Sequence, residues 1–74
     1  MTEISGEVEK LKTLATNKQI YSFEREEAIR ALGDIGNKEA ALVLLDIAND
    51  RGLYSFERVL ALSKAREILS AEKI

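Results

Sequence analysis

One hexapeptide is written twice in this chain. Ile20-Tyr21-Ser22-Phe23-Glu24-Arg25 returns as Leu53-Tyr54-Ser55-Phe56-Glu57-Arg58, at an offset of 33 residues and with five consecutive identities. The same offset pairs Leu11 with Leu44, Ala15 with Ala48, Ala28 with Ala61 and Ile35 with Ile68. A period of this size marks a supersecondary unit that buries its faces against copies of itself. The whole chain has 74 residues, room for one small domain holding two such units. Repeat one spans about 4–36 and repeat two about 37–71.

Apolar spacing at three and four residues places a helix–loop–helix in each copy. Helix one covers about Ile4 to Thr16, with Val8, Leu11 and Ala15 on a narrow stripe and Leu14 and Ile4 beside it. Helix two follows Ser22, read as an N-cap, with Glu24 at the positive end of the helix dipole. Its buried face is Ala28, Ala31, Leu32 and Ile35, widened by Ile29; Glu26, Glu27, Arg30 and Asp34 face away. Gly36 ends it as a left-handed residue and Asn37 caps the next helix, which makes a tight antiparallel turn. Helix three, about Lys38 to Asn49, is apolar without a break from Ala40 to Leu45. A short helix apolar over so wide an arc is packed on more than one side, so it is the expected most buried element. Helix four follows Ser55 and runs to about Ala71, with Ala61, Leu62, Ala65, Ile68 and Leu69 as its core face. Residues Glu72 to Ile74 are expected to fray. The fold class is all-α: four antiparallel helices forming two stacked helix–loop–helix units.

The segment from Arg25 to Gly36, Arg-Glu-Glu-Ala-Ile-Arg-Ala-Leu-Gly-Asp-Ile-Gly, followed by Glu39-Ala40-Ala41-Leu42-Val43-Leu44-Leu45, resembles a HEAT-like repeat of the short phycobilisome-lyase type. The resemblance spans most of the chain and is clearest over 25–48. It implies an α-solenoid in which helices one and three are outer and helices two and four line a concave face that holds a protein partner. It also implies that Arg25 and Arg58 bond a neighbouring repeat's loop, with Asn17 and Asp50 as acceptors. The chain departs from the family pattern at Glu24, where an apolar residue is usual, and at Ser63 and Arg66, which replace Arg30 and Gly33 in the second copy.

Composition removes whole classes of function. With no Cys and no His there are no disulfides, no thiolate or imidazole metal sites, no Cys nucleophile and no His base. No acidic cluster has calcium-loop spacing, and the four glycines at 6, 33, 36 and 52 form no phosphate loop. The reading is therefore not an enzyme, with no cofactor and no metal. Thirteen acids and eleven bases give a net charge of −2 with the signs interspersed, so nucleic acid is an unlikely ligand. There is no apolar run long enough for a membrane span and no signal-peptide pattern at the start, so a cytoplasmic protein is expected. Few Asn, Gln and Met beside many charges lean towards a thermophile. Met1 and the lack of any tag favour a whole protein.

The Tyr-Ser-Phe-Glu-Arg motif has two readings. It is a recognition site present twice, or it is a helix-start module. In the second reading, which the residues favour, Ser caps, Glu serves the dipole, Phe plugs the hairpin end and Arg ties loops. Tyr54 would then pack on Val59 as a hydrophobic staple. Glu26 and Glu27 read as a solvated face rather than as catalytic carboxylates.

The copies differ in one telling way. Glu26 and Glu27 become Val59 and Leu60 in the second copy. A terminal repeat usually turns a polar face outward, and helix four does not. Either Phe56, Val59 and Leu60 fold back onto the Tyr54 loop and helix three, or a partner covers them. Two units are few for a repeat stack, and self-association would supply the missing neighbour. The expected function is a non-catalytic protein-interaction module, bound to another protein or to itself as a homodimer. Its candidate contacts are Tyr54, Phe56, Val59, Leu60 and Arg30. The alternatives are a nucleic-acid accessory protein using Lys10, Lys12, Lys18, Arg25, Arg30 and Arg51, or a subunit of an enzyme complex.

Overall fold

Four helices carry the chain: α1 (Thr2–Ala15), α2 (Ser22–Ile35), α3 (Lys38–Ala48) and α4 (Ser55–Ala71). The structure is a computed structural model that describes the backbone of residues 2–71 and the side chains of 6–71. The placement of the Ile4 side chain and the fraying of Glu72 to Ile74 lie outside the described residues. Among the described residues there is no strand.

Local chemistry sets the junctions. Gly36 takes φ 69° and ψ 14° and donates its N–H to the Leu32 carbonyl, closing α2. A left-handed residue is cheap there only for glycine. Asn37 follows in extended conformation, and its side-chain oxygen accepts the Ala40 N–H at 2.7 Å, opening α3. One residue closes a helix and the next opens another, so the chain reverses at once.

The starts of α2 and α4 differ from expectation. The N-cap of α2 is Tyr21, not Ser22. Glu24, the third residue of the helix, accepts the Tyr21 N–H at 2.9 Å. Glu57 does the same for Tyr54 at the start of α4, also at 2.9 Å. Each carboxylate thus satisfies an amide that the helix leaves open and sits where the dipole favours negative charge.

The two hairpins, α1 with α2 and α3 with α4, stack with α2 on α4 and α1 on α3. The core holds Val8, Ala15, Ala28, Ile29, Leu32, Ala40, Ala41, Val43, Leu44, Ile47, Leu53, Ala61, Ala65 and Ile68. Alanine recurs through it on every helix, so helix backbones approach closely and little aliphatic volume is needed to fill the gaps. As expected, α3 is the element most deeply set, with Ala40, Ala41, Val43, Leu44 and Ile47 all buried.

Four apolar side chains expected inside or against the core stand outside it. Leu62 is 43% exposed, although α4 periodicity puts it near the core face. Leu14 on α1 is 46% exposed. Phe23 and Phe56 do not plug the hairpin ends; both are exposed. Each is stacked on the tyrosine two residues before it, Tyr21 with Phe23 at 5.7 Å and Tyr54 with Phe56 at 5.5 Å between ring centroids. The expected staple between Tyr54 and Val59 gives way to this ring pair, and Val59 stays in solvent.

Candidate interaction surface

The repeated hexapeptide is where the two copies lock together. Arg25, on the first turn of α2, is buried; its Nε donates to Glu57 Oε2 at 2.8 Å. Its Nη1 donates to the carbonyls of Asn17 at 3.1 Å and Ile20 at 2.8 Å, which ties the α1–α2 loop to the helix. Ser22 Oγ donates to the same Glu57 Oε2 at 2.7 Å. Ser22 is the first residue inside α2 rather than its cap, and its hydroxyl donates across the stack. The Tyr54 ring lies over the Arg25 guanidinium, 5.8 Å from Cζ to centroid. Ser22 and Arg25 of copy one therefore close on Tyr54 and Glu57 of copy two.

Glu57 is wholly buried, and burial pushes its carboxyl up. The Ser22 hydroxyl, the Tyr54 amide and the Arg25 guanidinium outweigh that and hold it below the usual carboxylate range. A second tie runs between loops, where Lys18 Nζ meets Asp50 Oδ2 at 2.7 Å. That hydrogen bond is the main reason Asp50 titrates below its usual value. Of the two acceptors expected for the arginines, Asn17 serves through its carbonyl, while Asp50 is held by Lys18.

The far edge of the stack repeats this machinery without its other half. Shifting by 33 residues maps Ser22, Arg25, Ile29 and Gly33 onto Ser55, Arg58, Leu62 and Arg66. In the first set Ser22 and Arg25 bond Glu57 of α4 and Gly33 lies against Lys64 of α4; no helix among the described residues covers the second set. Ile29 is 0% exposed and Leu62 is 43% exposed. Arg25 Nε meets a carboxylate, whereas Arg58 Nε is buried with no hydrogen-bond partner among the described residues. Ala48, Ser55, Arg58, Val59 and Leu62 line a shallow recess of about 220 Å³ at this edge.

The expected contact residues fall out as follows. Tyr54, Phe56 and Val59 are exposed, Val59 at 64%; Phe56 stacks on Tyr54, as the fold-back reading has it, but Val59 does not fold back. Leu60 is the exception, partly buried against the core. Arg30 is exposed on α2, with Nη2 3.6 Å from Glu26 one turn earlier, and is engaged within its own helix. The structure adds Ser55, Arg58 and Leu62 to the surface. The offset that reveals the repeat also contains their signal, because the copy-one counterparts of Ser55 and Arg58 bond Glu57 of α4 and that of Leu62 is wholly buried.

Of the cations considered for nucleic acid, Arg25 is buried in its ion pair. Lys12 lies 3.7 Å from Asp46, and Lys18 and Arg30 also face acids. No helix of the described residues is long and apolar enough to cross a membrane. Among those residues no group of acidic side chains is arranged to hold a metal ion.

Fold and surface together define an all-α protein of two stacked helical hairpins whose α4 edge is uncovered. Neither a protein-family model, nor a curated protein, nor a solved structure matches the chain significantly.

Proposed function

We propose that the protein is a non-catalytic protein-interaction module of the HEAT-like solenoid type, which binds through the uncovered side of α4. One observation carries this reading. At equivalent places in the two copies, Ile29 is wholly buried and Leu62 is open to solvent. Exposed Val59 and Leu62 lie on one recess beside an arginine whose Nε is buried and unpaired. Apolar surface of this kind beside a polar group without a partner is the composition of an interface rather than of a solvated helix face. The lack of His and Cys, and the engagement of the buried acid Glu57 in its ion pair with Arg25, support a binding role over catalysis.

Affinity capture with the tagged chain tests it, wild type against the Val59→Glu, Leu62→Glu double variant. Both positions are exposed, so the variant should melt within about 0.5 kcal/mol of wild type. A specific protein held by wild type and lost by the variant supports the reading. An identical captured set from both overturns it.

A further inference from the structure

The inner junction between the two copies is a template for what the outer edge of α4 accepts. At the inner junction the donating side is Ser22 and Arg25. The accepting side is Tyr54, whose ring lies over the guanidinium, and Glu57, whose Oε2 receives both donors. At the outer edge the donating side is present again as Ser55 and Arg58, and Arg58 Nε is buried without an acceptor. Leaving such a donor unpaired costs more than pairing it returns, so the edge favours a carboxylate.

The same chain carries a matching acceptor at its opposite end. Tyr21 and Glu24 are the copy-one counterparts of Tyr54 and Glu57, and both are exposed. They already hold the shape of the docked pair. Glu24 Oε1 takes the Tyr21 N–H at 2.9 Å, as Glu57 Oε1 takes the Tyr54 N–H at 2.9 Å. Tyr21 stacks on Phe23 with planes 9° apart, as Tyr54 stacks on Phe56 at 10°. In both, Oε2 is left for a donor, and among the described residues only Glu57 has one.

Steric fit agrees with charge. Inside the chain the Lys64 side chain lies over Gly33, where a Cβ would come within 2.9 Å of Lys64 Cδ. The corresponding outer positions are Ala31 and Arg66. Large over small becomes small against large, so the volume at that contact is kept with the sides exchanged. Glu27 stands at the position of Leu60 and brings a second acid to the side that meets Arg58 and Arg66. A two-fold pairing of α4 with α4 would instead set Arg58 and Arg66 against their own copies.

We infer that a second copy of this chain docks head-to-tail on the outer side of α4, with its Tyr21 over Arg58 and its Glu24 carboxylate accepting Arg58 Nε and Ser55 Oγ, so that the repeat stack continues from one molecule into the next. This rests on the proposed binding role of the same face and names its partner. The contact is heterologous, so it leaves one donor edge and one acceptor edge free at the ends. Assembly is then open, and growth does not stop at a dimer.

The test uses full-length chains and sedimentation over a concentration series to about 1 mM. Wild type is expected to gain mass steadily, and Arg58→Ala to weaken association by about 30-fold or more. Two blocked chains decide the geometry. Leu62→Glu blocks the donor edge, and Glu24→Lys blocks the acceptor edge. Ala31→Arg is a second acceptor block that leaves the α2 cap intact, should Glu24→Lys unfold the helix start. Each blocked chain alone should be monomeric, and a mixture of the two kinds should form a one-to-one dimer and nothing larger.

Three outcomes overturn the inference. One is a wild type that stays monomeric throughout. Another is a mixture that does not associate. The third is an acceptor-blocked chain that still dimerises alone while Leu62→Glu does not. That third result would place a symmetric contact on α4 and leave the proposed binding role of that face standing. Loss of that role would show separately, in unchanged capture by the Val59→Glu, Leu62→Glu variant.

Discussion

Arg25 Nε and Glu57 Oε2 lie 2.8 Å apart with both side chains withdrawn from solvent, the one from the first turn of α2 and the other from the first turn of α4. The pair joins the same position region of two copies of one hexapeptide. It is also satisfied on every side: Arg25 reaches two carbonyls, and Glu57 takes a hydroxyl and an amide as well. A buried ion pair is tolerable only when its remaining hydrogen-bonding groups are satisfied in this way.

Removing one member strands the other. Arg25→Leu or Glu57→Leu should each cost about 3–5 kcal/mol, measured by urea unfolding. The double variant should cost clearly less than the sum, since no uncompensated charge remains. Strict additivity would show that the two groups are not coupled.

The same pair makes stability depend on acid. Glu57's carboxyl is held below its ordinary value of 4.5, so the unfolded chain takes up the proton first as pH falls. Its contribution is complete above pH 4.5 and is lost as pH falls through the folded value. Melting temperature should therefore drop below pH 4.5, and Glu57→Gln should flatten that drop. An unchanged slope in the variant would assign the acid sensitivity to other groups.

The loop tie has a spectroscopic signature. Asp50 titrates low chiefly because Lys18 donates to it. Carboxyl NMR of Lys18→Met should show Asp50 moving up towards its ordinary 3.8. The tie is partly exposed, so the same variant should lose only about 0–1 kcal/mol of stability.

The turn between the hairpins depends on two adjacent residues. Gly36→Ala forces a side chain into φ 69° and should cost about 1–2 kcal/mol. Asn37→Ala removes the acceptor for the Ala40 N–H and should cost about 1 kcal/mol. Thermal unfolding of the two single variants measures both.

The unequal ends can be read by truncation. Ile29→Ala empties a sealed site and should cost about 2–5 kcal/mol. Leu62→Ala, its counterpart 33 residues on, should cost under about 1 kcal/mol in the monomer. Equal losses would mean that Leu62 is already covered.

Much of this architecture is legible in the residues themselves. The helix count, the reversal at Gly36 and Asn37, the depth of α3 and the two-copy organisation all follow from periodicity, capping chemistry and self-similarity, which act over a few residues. Two misreadings have different causes. Ser22 looks like a cap because a serine before a helix usually is one, yet in both copies the tyrosine before the serine takes the N-cap and bonds the glutamate three residues on. Leu62 looks like core because its spacing along α4 is right, although no helix among the described residues covers it.

The hexapeptide divides the two kinds of information most sharply. Its five identical residues start a helix in the same way twice: a tyrosine at the N-cap, a glutamate on the tyrosine amide, and a ring stacked on a ring. Local sequence dictates that much, because those contacts lie within three positions of each other. Yet Glu24 is exposed and Glu57 is buried, and Arg25 is paired where Arg58 Nε is not. The residues are the same; their neighbours are not. In a stack, burial is set by what lies on either side, so the tertiary structure alone decided which copy of each residue holds the fold together and which stays exposed.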